Sequence, residues 1–564
     1  MPQAHGSPAD LDAVNPVEAG RARSRALAAL ILLLVACSWL ALWANRGLFN
    51  PDEGRYAEIP REMLASGDWV VPHLNGLVYI EKPPLQYWAT ALIYAVFGVH
   101  PWSARLYTEL AGLGTILVTA WLALRLWGRA AAWRSGLMAG SSLLVMLMSH
   151  QLTLDMSLTF FTTVMLAGFC IAQDARTEPH LRARWMWLAW ASAAGAFLTK
   201  GLVAGVLPVL ALALYSLLHR DLRPWRRLGL LGGVPLFLLL VTPWFVAIQH
   251  RLPQFFDFFV VREHFQRYLT RIEQRYEPWW FFVEVLLIGC LPWLLPSARA
   301  LGRAWRATTP REQFDARQFL WAWCLVVLVF FSASDSKLIP YILPMFPALA
   351  LLSGSAAEDA LRADLRATAL LLIALGIAYA LGAAALPHLV HDPQRLPYFL
   401  RIRWPLACMA VASLGGGVLV RSSHGDSVRL TLLIGAASYL GFLCVLWSAR
   451  ALEPLYSGAP LAAQLPPALR TGAPVYAVRT YDQSLPFYLK RLVTLVEWRG
   501  ELDFGLSLEP HKGIASLQQF VPVWRTQQQA LAVMEPVTFD ALQRAGLPMV
   551  VRARTPHELI VSRR

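Results

Sequence analysis

Residues 84–98, PLQYWATALIYAVFG, are apolar enough to be taken for a membrane crossing but short for one. As a helix they would reach about 22 Å, against a hydrocarbon core of roughly 30 Å. The segment also opens on Pro83-Pro84. The choice matters because each crossing reverses the side on which all later loops lie. Left out of the count, this segment becomes a helix along the outer interface, and the basic loops then sort to one side.

The chain around it has 564 residues, 56% of them hydrophobic and 15% charged. Apolar blocks recur along it, which marks a mostly α, polytopic membrane protein. Spans are expected near 25–46, 104–127, 131–149, 156–173, 185–199, 201–218, 228–249, 279–298, 318–333, 338–354, 367–387, 404–420 and 428–447, about thirteen in all. With the N-terminus inside, Arg21, Arg23 and Arg25 precede the first span. Arg125, Arg129, Arg134, Arg176, Arg182, Arg184, Arg220, Arg223, Arg226, Arg227, Arg299, Arg303, Arg306 and Arg311 then fall on the same side. The short outer turns hold only Lys200 and Lys337. This is the positive-inside pattern.

The net charge of +14 is therefore orientation signal, and its short clusters between spans argue against a nucleic-acid partner. The six cysteines lie in apolar blocks with no C-x-x-C pair, so neither that kind of zinc site nor a disulfide framework is indicated. The 23 tryptophans suit interfacial belts. About 20 polar residues precede the first span without an obvious cleavage site, which reads as a retained anchor.

The composition changes after Trp447. Residues 1–449 read as the transmembrane domain and 450–564 as a small α/β domain on the outer side. In it APVYAVRT, RLVTLVEW and LPMVVRAR look like strands, and TQQQALAVME and TFDALQRAG look helical.

Directly after the first span comes FNPDEGRYAEIPREMLASGDWVVPHLNGLVYIEKPPLQYW, 49–88. Pro51-Asp52-Glu53 starts a helix, with acids at the positive end of its dipole. Capping accounts for one of these acids. It leaves Arg55, Glu58, Arg61, Glu62, Glu81 and Lys82 without a reason. Other outer turns are also polar: Asp155 in SHQLTLDMS, Lys200 in FLTKGLV, and Asp335, Lys337 and Tyr341 in SASDSKLIPYILP. An ionisable group near the hydrocarbon costs roughly 2.5–3.5 kcal/mol, so each needs a partner or a wet cavity. A helix cap for Asp155 and snorkelling for Lys200 are the plainer accounts. A single outward cavity that gathers Asp52, Arg55, Lys82, Asp155 and Lys200 covers them all.

The loop at 251–280 adds five arginines and a row of phenylalanines, the pattern of an amphipathic interfacial helix. Its Arg262, His264 and Arg267 either meet the acidic groups or form a solvated face. Glu81 and His264 are two potential metal ligands without regular spacing, a weak signal. Cations beside an apolar surface suit a phosphate on a lipid tail. No G-x-x-x-x-G-K-[ST] motif occurs, so a nucleotide donor is not supported.

The stretches NPDEGRYAEIPREMLASGDWVVPHLNG and YIEKPPLQYW, with SKLIPYILP and YDQSLPFYLKR further on, resemble the dolichyl-phosphate-mannose protein mannosyltransferase class. Within it they are most similar to the bacterial lipid A aminoarabinose transferases. The resemblance implies a large GT-C type fold with interfacial helices in the first outer loop. It implies undecaprenyl phosphate carrying 4-amino-4-deoxy-L-arabinose as donor and a lipid A phosphate as acceptor. The setting it implies is the periplasmic face of the bacterial inner membrane, with polymyxin resistance as the outcome. Asp52 and Asp155 take the catalytic acidic positions, and Arg55, Lys82 and Arg267 the donor-phosphate contacts. Tyr79, Lys200, Lys337 and Tyr341 are further substrate-binding candidates. The resemblance allows a divalent metal (zinc) at Glu81 and His264 without requiring one, and a monomer in the bilayer is expected. Asp335 and Ser336 depart from a Gly-rich or Arg-containing turn, which leaves another sugar on the same carrier open. A protein O-mannosyltransferase and, from another class, a transporter or flippase are the alternative readings.

Overall fold

A computed structural model describes residues 39–40, 46–266, 276–306, 313–470 and 472–563, and the fold is built from residue 46 onward. The expected first span, 25–46, and Arg267 lie outside the described residues, apart from 39–40 and 46.

Among the described residues, seven helices are long and apolar enough to cross a membrane, and two bent pairs bring this to nine. The other three expected spans are helical but fall short of that standard: Pro179–Lys200 is less apolar, and Val203–His219 and Ile339–Gly354 are shorter. Two expected straight spans are broken. The 131–149 span is Arg129–Ser141 and Leu143–Ser149, at 63° to each other. The 279–298 span is Phe281–Gly289 and Leu294–Ala304, bent by 116°. Pro292 lies at that break, and its missing N–H could not continue the first helix. Pro340 and Pro344 likewise tighten Ile339–Met345 into a 3-10 turn ahead of Phe346–Gly354.

Leu85–Phe97 is a helix of 13 residues, about 20 Å long and too short to span. Tyr87, Ala91 and Tyr94 are buried, while Leu92, Val96 and Phe97 are exposed. One apolar face in the core and another left outside is what an interfacial helix requires.

Contacts also sort the charged loops. Arg134 reaches Glu358 (3.4 Å) and Ser427 (3.2 Å), Arg303 reaches Asp364 (2.8 Å), and Arg317 reaches the Ser355 carbonyl (3.2 Å). The loops expected inside therefore meet one another, and the acidic first loop is not among their partners in these pairs.

The last long helix, Ser427–Tyr456, runs through the 449–450 boundary and ends at Ser457. Beyond it lies a six-stranded sheet in the order 513–514, 494–496, 475–478, 531–534, 559–562, 550–554. The first four strands are parallel, with Tyr476 opposite Thr494 and Ala477 opposite Val533. Leu559–Ser562 then pairs antiparallel on both sides. TQQQALAVME is corrected here, because Leu531–Met534 is a central strand. All four residues are buried, so the run lacks alternation and has the apolar look of a buried helix.

One apolar core joins this sheet to the first outer loop. Tyr56, Ile59, Leu74, Tyr79 and Tyr94 share it with Val475, Phe487, Leu495, Val533 and Ile560. The first-loop helix, Asp52–Ser66, is anchored at its start by Glu53, which is fully buried. Glu53 lies 2.8 Å from Arg46 and 2.8 Å from Arg105, and accepts the backbone N–H groups of Phe49 (2.8 Å) and Leu152 (3.1 Å). Arg105, also fully buried, comes from the Pro101–Trp127 span. Burial raises the Glu53 pKa, but Arg105 and Arg46 outweigh it and bring it to about 2.

Because that value lies below the ordinary 4.5, the contribution is complete above pH 4.5 and lost as the pH falls through about 2. Glu53→Gln leaves two buried guanidiniums short of a counter-charge and is expected to cost about 3–5 kcal/mol. Melting of the detergent-solubilised protein at neutral pH measures this. The variant should also lose stability less steeply than the parent as the pH falls below 4.5.

Candidate active site

The start of the helix Asp52–Ser66 packs on the 483–484 backbone. Asn50 accepts a hydrogen bond from the backbone N–H of Ser484 (2.9 Å). Gly54 lets the 483–484 backbone approach, since a Cβ there would lie 2.5 Å from the Gln483 carbonyl carbon and the Ser484 nitrogen. Further along, Glu62 accepts from Asn75 N (2.6 Å) and Gly76 N (2.8 Å), fixing the turn between the short strands His73–Leu74 and Leu77–Val78. Asn75 in turn exchanges hydrogen bonds with the Val493 backbone at 2.7 and 2.8 Å. The first loop and the C-terminal sheet are thus one built surface.

Arg55 is nearly buried at its centre. Its Nε donates to Gln483 Oε1 (3.1 Å) and its Nη1 to the Tyr79 hydroxyl (3.3 Å). Its Nη1 is 3.7 Å from Asp52, and its Nη2 contacts Glu501. Asp52 is the open member, with its side chain 40% exposed. Beside them Tyr56 stacks on Tyr87, with ring centroids 6.2 Å apart. Burial pushes the Tyr56 phenol far above its usual value, Arg55 opposes this, and Asp52, Glu81 and Asp155 add to it. The Arg55 guanidinium lies 5.7 Å from the centre of the Tyr56 ring.

Lys82 donates to the Glu81 carbonyl (2.8 Å) and pairs with Glu263 (3.3 Å). Lys200 contacts Asp155, its ammonium 4.4 Å from the centre of the Tyr341 ring. Asp155 begins the Leu154–Gln173 helix and Lys200 ends Pro179–Lys200, so two spans present the pair at one end of the bundle. In this pair Lys200 is held by a carboxylate, and snorkelling alone does not describe it.

Lys337 is buried and anchored on backbone carbonyls. It donates to the carbonyls of Ser334 (2.6 Å) and Glu277 (2.9 Å) and lies 5.7 Å from the Tyr276 ring centre. The side chain of His264 lies outside the described residues. Among the described residues no three His, Cys, Asp or Glu side chains come together as a metal site.

Sequence reasoning missed Gln483, Glu501 and Glu263, the partners of the very cations it chose. It also passed over Arg105, a cation inside an expected span, although such a position demands a partner.

Two family models match the chain. Residues 27–259 match dolichyl-phosphate-mannose-protein mannosyltransferase, and residues 461–563 match the aminoarabinose transferase C-terminal domain. The undecaprenyl phosphate-α-4-amino-4-deoxy-L-arabinose arabinosyl transferase of Pseudomonas aeruginosa (strain LESB58) is 33% identical, over 93% of this chain and 96% of that protein. The transferase of the same name from Aeromonas salmonicida (strain A449) is 37% identical over 56% of this chain and 57% of its own. Among solved structures, ArnT from Cupriavidus metallidurans bound to undecaprenyl phosphate is 34% identical, with a TM-score of 0.87, covering 95% of this chain and 98% of that one.

The fold and these matches define a multi-spanning membrane glycosyltransferase that uses a sugar linked to a polyprenyl phosphate. Within that class the chain belongs to the undecaprenyl phosphate-α-4-amino-4-deoxy-L-arabinose arabinosyl transferase family.

Gly54→Ala is expected to push the 482–485 segment off the first-loop helix and free Arg55 from Gln483. Limited proteolysis should then cut between 480 and 492 in the variant and not in the parent. Equal resistance of the two proteins would contradict this packing.

Proposed function

We propose that the protein transfers 4-amino-4-deoxy-L-arabinose from undecaprenyl phosphate to a phosphate of lipid A. It would act as a monomer at the periplasmic face of the bacterial inner membrane, where the added amino sugar lowers the negative charge seen by polymyxin and other cationic peptides. The observation that carries the reading is the buried Arg55, held by Gln483 and Tyr79 with the open Asp52 beside it, in a chain of this family.

The acceptor phosphate oxygen attacks the anomeric carbon as the bond to the donor phosphate breaks, inverting that centre. The bonding pair leaves with the undecaprenyl phosphate. A phosphate acceptor is largely ionised near pH 7, so no base is needed to activate it. Arg55 and Lys82 meet the charge that grows on the leaving phosphate, with Arg267 as a further contact. Asp52, the open carboxylate, faces the positive charge that develops on the sugar ring. The Asp155–Lys200 pair, with Tyr341 beneath it, shapes the acceptor side, and Tyr79 holds Arg55. Lys337 serves its own turn.

Glu81 and His264 are two donors for a divalent cation, fewer than a zinc ion takes from protein in its usual sites. Dialysis against EDTA is expected to leave turnover unchanged, and a loss restored by zinc would contradict this.

Arg55→Gln and Lys82→Gln are each expected to lower kcat about a hundredfold. Mass spectrometry of lipid A from a polymyxin-sensitive host should show one added aminoarabinose with the wild-type gene and none with Arg55→Gln. Radiolabelled sugar appearing on protein, with lipid A unmodified, would point to a protein glycosyltransferase instead.

A further inference from the structure

The contact between Arg55 and Glu501 sets a condition on the donor's phosphate. Arg55 already has a partner at each nitrogen: Gln483 at Nε, Tyr79 and Asp52 at Nη1, and Glu501 at Nη2. Gln483 also donates through Nε2 to Glu501, closing a three-member ring around the guanidinium. A phosphate on this face would meet the Glu501 carboxylate, and two anions on one cation repel.

The segment carrying Glu501 is built as a separate piece. Gly500–Leu502 is a 3-10 turn, and Gly500 has φ +48°, where a Cβ would lie 2.5 Å from the Trp498 ring. The helix Asp503–Leu508 follows and rests on the first loop, since a Cβ on Gly505 would lie 2.8 Å from the Val78 carbonyl oxygen. Phe504 packs on Phe258 with ring centroids 4.1 Å apart. Phe258 belongs to Asp257–Gln266, the same helix that sets Glu263 on Lys82. One short C-terminal turn thus touches both loops that carry the expected phosphate contacts.

We propose that Glu501 is a positioning residue for the transfer: a carboxylate that holds Arg55 in place without substrate, yields to the donor phosphate, and returns as the product leaves. This rests on the reading of Arg55 as a donor-phosphate contact. The donor is a phosphodiester with one negative charge, comparable with the carboxylate it displaces. The product is a monoester with about −1.5 to −2 at neutral pH, which Arg55 alone would hold more tightly. A resident carboxylate offsets that preference and speeds release.

The test uses the full-length protein in nanodiscs, with lipid A as acceptor and free undecaprenyl phosphate as inhibitor. Glu501→Gln keeps the shape and a polar link to Gln483 while removing the charge. It should lower both the donor KM and the inhibition constant for undecaprenyl phosphate about fivefold, and kcat should fall with them as release slows. A purely structural role would lower kcat without tightening either constant. Glu501→Asp, which keeps the charge on a shorter arm, should fall between the two and decides the matter if Glu501→Gln does not fold. Constants that stay unchanged or weaken in these variants overturn the inference. Arg55→Gln, measured alongside, separates the two readings. If it leaves both constants unmoved, the assignment of Arg55 itself fails, whereas weaker constants there with an inert Glu501 reject only the role of Glu501.

Discussion

A carboxylate buried between two guanidiniums fixes where the first loop begins. Glu53 joins Arg46, just before the loop, to Arg105 in the span that follows it, and also ties in the backbone at Leu152. Three segments far apart in the chain are thereby locked at one level of the bundle. Such a pairing is not justified by stability alone, since well-packed apolar side chains often do as well. What it adds is direction. A carboxylate with four partners from three segments admits one arrangement of the helix behind it, and so places Asp52 outward and Arg55 inward in its first turn.

The same logic runs through the site. Cations beside a lipid phase must keep counter-charges when no substrate is present, and this structure supplies them from its own chain: Glu501 for Arg55, Glu263 for Lys82, Asp155 for Lys200. The partners of Arg55 and Lys82 come from the C-terminal sheet region and the second long outer loop. The first loop therefore carries these two cations, and other parts of the chain supply their counter-charges.

Much of this was legible in the sequence, for a physical reason. Charges packed into NPDEGR and EKPP at a membrane exit are costly unless used, so Asp52, Arg55 and Lys82 announce themselves. The 84–98 segment could be refused as a span on length and on the sidedness of arginine, and its 13-residue helix with a split apolar surface agrees. Lys337 looked equivalent to Lys200 because both sit in short outer turns. Only the fold shows that one meets a carboxylate and the other backbone carbonyls. Glu501 was illegible, because an acid in a soluble-looking tail carries no cost that would single it out. Leu531–Met534 was misread because a strand buried on both faces loses its period of two. The broken span at 281–304 turns near Pro292, whereas the one at 129–149 breaks at Ser141-Ser142 with no proline to mark it, so local sequence does not announce it.

The shared site requires the first loop and the C-terminal sheet to meet at one face of the membrane, with the arginine-paired loops at the other. Single cysteines at Asp52, Asp503 and Arg303, all with at least 40% of the native side chain exposed, test this in a cysteine-free background. Whole cells with a permeabilised outer membrane would be treated with an impermeant maleimide. We expect positions 52 and 503 to label from outside and position 303 only after the inner membrane is opened. Labelling of 52 and 503 from opposite sides would contradict the shared site at its root.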